Sequence, residues 1–223
     1  MDRGLELSGM RCIHHVEIRQ YNRAILEQHW PGVPKSGDIR NFDGSRIRAD
    51  VVAGGFPCQD ISIANSFGKG IGGEKSGLWS EFARVIREVR PRYAIVENSP
   101  ALRWRGLGRV LGDLAEIGFD AEWQVLSASA FGADSIRERL FIVAYPMREG
   151  LEGEGIPVFS DPPPLRPVRR PLLSQSDVLR ANHGIPFYME RIEGIGNAVY
   201  PEVARWVGEQ VIRHHAATAE ITK

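Results

Sequence analysis

Cysteine is scarce in this chain of 223 residues, which holds only Cys12 and Cys58. No apolar run is long enough to span a bilayer, which excludes a membrane-spanning helical protein. The opening residues, Met1-Asp2-Arg3-Gly4-Leu5-Glu6, lack the basic-then-apolar pattern of a secretory leader, so a cytoplasmic setting and reduced thiols are expected. Net charge is absent too. Lys+Arg and Asp+Glu each total 28, so bulk electrostatics does not point to a nucleic-acid partner, and any such contact must come from a local patch. Arg137 with Arg139, and Arg166 with Arg169 and Arg170, are the clusters available, although an arginine cluster is more often a solvated face. The sequence contains no internal repeat, and its length suits one domain with a small appendage.

What is present alternates strands with helices. Residues 11–17 read as a strand ending in Glu17, and residues 20–30 as a helix stopped by Pro31-Gly32. Residues 50–53 form a strand that runs into Gly54-Gly55. Leu78, Phe82, Val85, Ile86 and Val89 recur at helical spacing, so residues 78–89 are an amphipathic helix ended by Pro91. Tyr93-Ala94-Ile95-Val96 reads as a strand buried on both faces that stops at Glu97-Asn98. A helix over 106–117 stops at Gly118, strands follow at 122–127 and 140–145, and a helix closes the chain over 201–214. The short link between the last two strands makes them antiparallel neighbours. The expected fold is α/β, a mostly parallel sheet with one antiparallel strand at its edge. Residues 146–176, with Pro162-Pro163-Pro164 and no sustained period, read as an inserted loop region or a flexible linker.

Chemistry concentrates at strand ends. In Gly54-Gly55-Phe56-Pro57-Cys58-Gln59-Asp60-Ile61-Ser62 a cysteine follows a strand and a proline, where sheets of this kind carry their sites. A cysteine is more often a small buried hydrophobe, but here its neighbours are polar and glycine-rich. The run through Gly68, Gly70, Gly72, Gly73 and Gly77 lacks the Gly-Lys-Ser/Thr ending of a P-loop and fits a mobile lid better. Cys12, His14 and His15 suggest a metal, but no second cluster completes a closed zinc site, so no metal is expected. A thiol, an acid at Glu97 and cations at Arg137 and Arg139 are the groups needed to attack an electron-poor heteroaromatic ring.

With those residues in view, the sequence resembles the DNA cytosine-5 methyltransferases. The resemblance rests on Gly54-Gly55-Phe56-Pro57-Cys58-Gln59 with Ser62, on Glu97-Asn98, on Arg137-Glu138-Arg139-Leu140-Phe141-Ile142-Val143, and on Gly196-Asn197-Ala198-Val199 with Pro201. These segments occur in the family's order and cover most of residues 9–145 and 177–212. The resemblance implies a Rossmann-like S-adenosylmethionine-dependent sheet over 1–145, a very small target-recognition region over 146–176, and a return to the catalytic domain over 177–223. It implies that Cys58 is the nucleophile adding to C6 of a flipped cytosine, that Glu97 binds N3 and the exocyclic amine, and that Arg137 and Arg139 hold the base carbonyl and a phosphate. The methyl donor would meet Glu17 through its ribose and Ile18, Asp38 and Ile39 through adenine, with Pro57, Leu78, Asn197, Ala198 and Val199 lining the same pocket. Gln59, Ser62, Asn98, Arg166, Arg169 and Arg170 would face DNA. The implied partner is double-stranded DNA, acted on by a monomer of restriction-modification or phage type, with a cognate restriction endonuclease in the former.

The departures from the pattern are specific. The family opens with a strand and a Phe-x-Gly-x-Gly turn; the chain resembles it only from the following helix, whose tail is residues 4–9. The expectation is a donor pocket open on that side, and the alternatives are an inactive remnant that binds DNA or an enzyme acting on RNA. Ser135 replaces the family's glutamine and Asp134 its neighbouring proline, which bears on how the arginine pair is positioned. With so short a recognition region, a short target site or a reading of DNA shape is expected.

Overall fold

Tyr93, Ala94, Ile95 and Val96 are all buried, as a strand covered on both faces requires. The computed structural model describes residues 1–57, 77–147, 156–166 and 198–221, the side chains of the final two excepted. Its elements in chain order are α1 (Asp2–Leu7), β1 (His15–Val16), α2 (Gln20–His29), β2 (Lys35–Ser36), β3 (Val51–Gly55), α3 (Gly77–Val89), β4 (Tyr93–Asn98), α4 (Leu102–Arg105), α5 (Leu107–Glu116), β5 (Phe119–Ser127), β6 (Glu138–Pro146) and α6 (Pro201–Ile221). Short 3-10 turns stand at Ile39–Asn41, Gly44–Arg46 and Ala128–Ala130.

The main sheet has the order β3-β4-β6-β5. β3 and β4 are parallel, while β6 is antiparallel to both β4 and β5, so three strands share a direction and β6 alone opposes them. The expectation of one antiparallel strand, paired with the strand before it, holds. Its expected place at the edge is corrected: β6 lies between β4 and β5. The cause is its composition, because Leu140, Phe141, Ile142, Val143 and Ala144 are fully buried and suit only an interior strand. β5 carries Asp120, Glu122 and the half-exposed Trp123 and takes the edge.

Alternating side chains feed two cores. Tyr93, Ile95, Phe141 and Val143 pack on one face with α1 and α6, and Ala94, Val96, Leu140, Ile142 and Ala144 on the other with α3 and α5. Helix α3 buries Trp79, Phe82, Val85, Ile86 and Val89. At roughly 1.5–3 kcal/mol per large apolar side chain, this burial outweighs the weak helix propensity of its Val and Ile residues. α5 ends as expected, with Gly118 at φ +88° just past its last turn.

The first strand is shorter than residues 11–17 suggested. His15–Val16 pairs in parallel with Lys35–Ser36 as a separate two-stranded sheet, and among the described residues no strand joins it to β3. The described part of the expected loop region, residues 156–166, is docked rather than loose. Val158 is 1% exposed, its amide donates to Glu122 Oε1 at 2.9 Å, and Phe159 stacks on Trp206 of α6.

α1 and α6 approach closely at two small residues. A Cβ on Gly4 would lie 2.3 Å from the Pro201 carbonyl oxygen and 2.6 Å from Ala204 Cβ, and one on Gly208 would lie 2.3 Å from Ser8 Oγ. Gly4→Val is expected to destabilise the fold by about 1–3 kcal/mol through overpacking. Thermal unfolding followed by circular dichroism checks this, and an unchanged midpoint would mean that α1 is not held against α6.

Candidate active site

β4 delivers Glu97 and Asn98 to its C-terminal end, beside β3. Gly55 sits opposite Glu97 in the parallel register, and a Cβ there would lie 2.8 Å from Glu97 Oε2. Glycine at 55 is therefore what leaves room for the carboxylate. The antiparallel register sets Glu97 across from Phe141 and Asn98 across from Leu140, so the start of β6 reaches the same end of the sheet. Arg139 Nε meets Glu97 Oε1 at 2.8 Å, with the two side chains 20% and 13% exposed.

Burial raises the Glu97 pKa above its ordinary value, with Arg139 and Arg137 opposing the rise. Burial likewise lowers that of Arg137, helped by repulsion from Arg139. The acid thus lies closer to its protonated form than an exposed glutamate. Asn98 is 3% exposed, donates from Nδ2 to the Phe56 carbonyl at 2.9 Å, and accepts from the Ser99 amide at 2.8 Å. That bond ties the end of β4 to the backbone immediately before Pro57. Cys58, Gln59, Ser62, Arg169, Arg170, Asn197 and the glycine-rich lid lie outside the described residues.

A second group forms at the ends of the parallel pair β1 and β2. Glu17 Oε1 accepts from the Arg19 amide at 2.7 Å and Oε2 from Asn22 Nδ2 at 3.1 Å, so its carboxylate is tied to the residues around the start of α2. Ile18 is 57% exposed beside it. Asp38 caps the turn at Ile39–Asn41 and pairs with Arg40 at 2.6 Å, a contact that lowers its pKa. An acid next to uncovered apolar surface is a donor set that fits a nucleoside, with the carboxylate for ribose hydroxyls and the aliphatic side chain for the purine face. Leu78 stands in the first turn of α3, half-buried, and Ala198 is exposed. Val199 is 8% exposed and packs in the core with Leu5 and α6.

Two placements differ from the sequence reading. Arg166 sits against Phe131 and faces Glu202 of α6 at 3.9 Å, so it is engaged with the protein's own carboxylate. The grouping of Cys12, His14 and His15 is also redrawn. His14 Nε2 turns to Ser36 Oγ at 2.9 Å, whereas Cys12 Sγ and Asp2 Oδ1 meet His15 Nε2 at 3.3 and 3.6 Å. Asp2 joins because α1 folds back over β1.

Arg84 and Glu88 on α3 escaped the sequence reading. Arg84 donates to the carbonyls of Ile39 at 2.7 Å and Phe42 at 3.0 Å, and Glu88 Oε2 accepts from the Gly44 amide at 2.9 Å. They hold the segment after Asp38 in place from 45 residues away, as the Arg84–Ile39 separation shows. The only sequence signal was two charges on the polar side of an amphipathic helix, which reads equally as a solvated face.

A sheet with three of its four strands in one direction and charged residues gathered at the strand ends is the frame of a Rossmann-like α/β fold, a class in which ligand sites lie at the carboxyl ends of the strands. Two solved structures share this fold. A putative DNA modification methyltransferase encoded within an Escherichia coli prophage aligns with a TM-score of 0.54 and 21% identity, over 65% of this chain and 42% of that one. A Spodoptera frugiperda DNMT2 variant aligns with a TM-score of 0.53 and 16% identity, over 67% and 48%. Among curated proteins, the type II methyltransferase M.Sau3AI of Staphylococcus aureus is 38% identical over 126 residues, 51% of this chain and 31% of its own length. M.NgoBI of Neisseria gonorrhoeae is 33% identical over 149 residues, 64% and 46%. The chain matches the C-5 cytosine-specific DNA methylase family over residues 1–183 and belongs to that family. It spans less than half the length of the relatives it matches. Members of the family take their methyl group from S-adenosylmethionine.

The Glu97 shift has a consequence for stability. An acid whose folded pKa is raised holds its proton more tightly folded than unfolded, so unfolding releases a proton between the ordinary value of 4.5 and the raised one. Stability is therefore expected to fall as pH rises through that window, and Glu97→Gln to remove this component. Melting curves of the two proteins across the window check it; parallel pH profiles would contradict the assignment.

Proposed function

We propose that this chain carries the catalytic part of a DNA (cytosine-5)-methyltransferase, which moves a methyl group from S-adenosylmethionine to C5 of a cytosine flipped out of double-stranded DNA. The observation that carries this reading is the cluster at the end of β4: Glu97 buried against Arg139, with Asn98 bonded to the backbone that leads into Pro57-Cys58. Cys58 is the nucleophile. Its thiolate adds to C6 of the ring, and the electron pair of the C5–C6 double bond becomes available at C5. A proton on the Glu97 carboxyl serves N3 as negative charge develops in the ring, and its raised pKa suits an acid that must be protonated when the base arrives.

Arg139 keeps that carboxyl oriented. With Arg137 it also offers planar donors to the base carbonyl and a nearby phosphate. When bound, S-adenosylmethionine supplies an electrophilic methyl group. The chain's part at that site is to receive the nucleoside, with Glu17 on the ribose and with Ile18, Asp38 and Ile39 around adenine. Loss of the C5 proton and expulsion of the Cys58 thiolate restore the aromatic ring and free the product. Pro57, Leu78, Asn197, Ala198 and Val199 are assigned to the donor side. Gln59, Ser62, Arg169 and Arg170 are assigned to the DNA side, with Arg166 available there once it releases Glu202.

A restriction-modification or phage role is supported by the type II methyltransferases and the prophage protein that the chain resembles. Among the described residues, no helix is long and apolar enough to cross a membrane. The decisive experiment uses DNA containing 5-fluorocytosine, whose C5 fluorine cannot leave as a proton does. In the presence of S-adenosylmethionine a covalent protein–DNA adduct is expected on denaturing gels, and Cys58→Ser is expected to abolish it. An adduct that survives the substitution would overturn the reading.

A further inference from the structure

We propose that the outer face of α4, formed by Arg103, Trp104 and Arg105, is a DNA-contacting element: Trp104 lies against a base or sugar beside the opened cytosine and the two arginines hold the flanking phosphates. This rests on the function proposed above and adds residues that the family's motif segments do not include. Trp104 is 76% exposed. A tryptophan is a large apolar surface to leave in water, and exposed aromatics accompanied by cations are the stacking platforms of nucleic-acid grooves.

The arginine beside it is already stacked, with the Arg103 guanidinium 5.2 Å from the Trp104 ring centroid and its Nε held by the Pro100 carbonyl at 3.4 Å. Among the described residues, no carboxylate lies within ion-pair distance of Arg103 or Arg105, whereas Arg109, one turn further on, is paired with Asp113. The segment from Asn98 to Gly112 contains three arginines and no acid, in a chain whose total charge is zero. Two of those positive charges therefore remain to face a polyanion.

The position of α4 fits the same purpose. It begins four residues after Asn98, and Leu102, fully buried, anchors it in the core that also holds Phe56. The Leu102 amide bonds to the Ser99 carbonyl, and Gly106 separates α4 from α5, so the turn stands as its own ledge at the end of β4. The ledge follows Glu97 by five residues at the end of the same strand, and its rigidity comes from Leu102 rather than from any DNA contact.

The test measures binding of the full chain to a fluorescein-labelled duplex of mixed sequence by anisotropy, across a salt series, in a Cys58→Ser background that prevents covalent capture. Arg103→Gln with Arg105→Gln is expected to weaken binding and to lower the slope of log K against log salt by roughly two units, one for each phosphate lost. Trp104→Ala is expected to weaken binding roughly five- to a hundred-fold without changing that slope, and Trp104→Phe to recover most of the loss. Melting midpoints should stay unchanged, since all three side chains are exposed. Equal affinity and equal slope in all variants would overturn the proposal. If the parent chain binds DNA but forms no adduct in its Cys58 form, the catalytic reading fails while the ledge is still judged by its slopes; a parent that does not bind DNA overturns both.

Discussion

The antiparallel register of β4 and β6, which sets Glu97 against Arg139, is the constraint on which the rest of the described site depends. It brings a carboxylate and a guanidinium together while removing both from most of their water, which is costly unless the geometry is fixed by something else. What fixes it is the sheet. β4 and β6 are interior strands with apolar side chains on both faces, and their antiparallel register sets the last residues of one against the first residues of the other. A slip of one residue would send Arg139 to the opposite face and leave Glu97 buried without its partner. The register is therefore enforced by two cores rather than by the ion pair.

Small residues complete the arrangement. Gly55 makes room for the Glu97 carboxylate, while Gly4 and Gly208 let α1 and α6 close over one face of the sheet. Asn98 then extends the order of β4 into the backbone of Phe56, one residue before the proline-cysteine segment begins.

The group around Glu17 and Asp38 is built differently. Its acids are not buried between strands but hold local backbone: Glu17 accepts from the Arg19 amide just ahead of α2, and Asp38 caps its 3-10 turn. Arg84 and Glu88 fasten the second of these turns to α3. The two strands beside these acids pair only with each other among the described residues, so the order of this region comes from side-chain contacts more than from the main sheet.

Sequence alone determined the main-sheet strands and the longer helices packed on them, though not β2 or α4, together with the burial of β4, the stop at Gly118, the pairing of the last two strands, and the family, because periodicity and motif spacing are local properties of the chain. It also put Glu97 at a strand end, where the structure has it beside Arg139, since strand ends are legible where an apolar run stops at a charge. Only the tertiary structure decided that β6 lies inside the sheet, that Arg166 turns to Glu202, that Asp2 joins Cys12 and His15, and that Arg84 supports the Asp38 segment. Each of these joins residues far apart in the chain or depends on which neighbour a strand chooses. Such choices follow from how two cores are filled at once, which no local pattern of residues encodes.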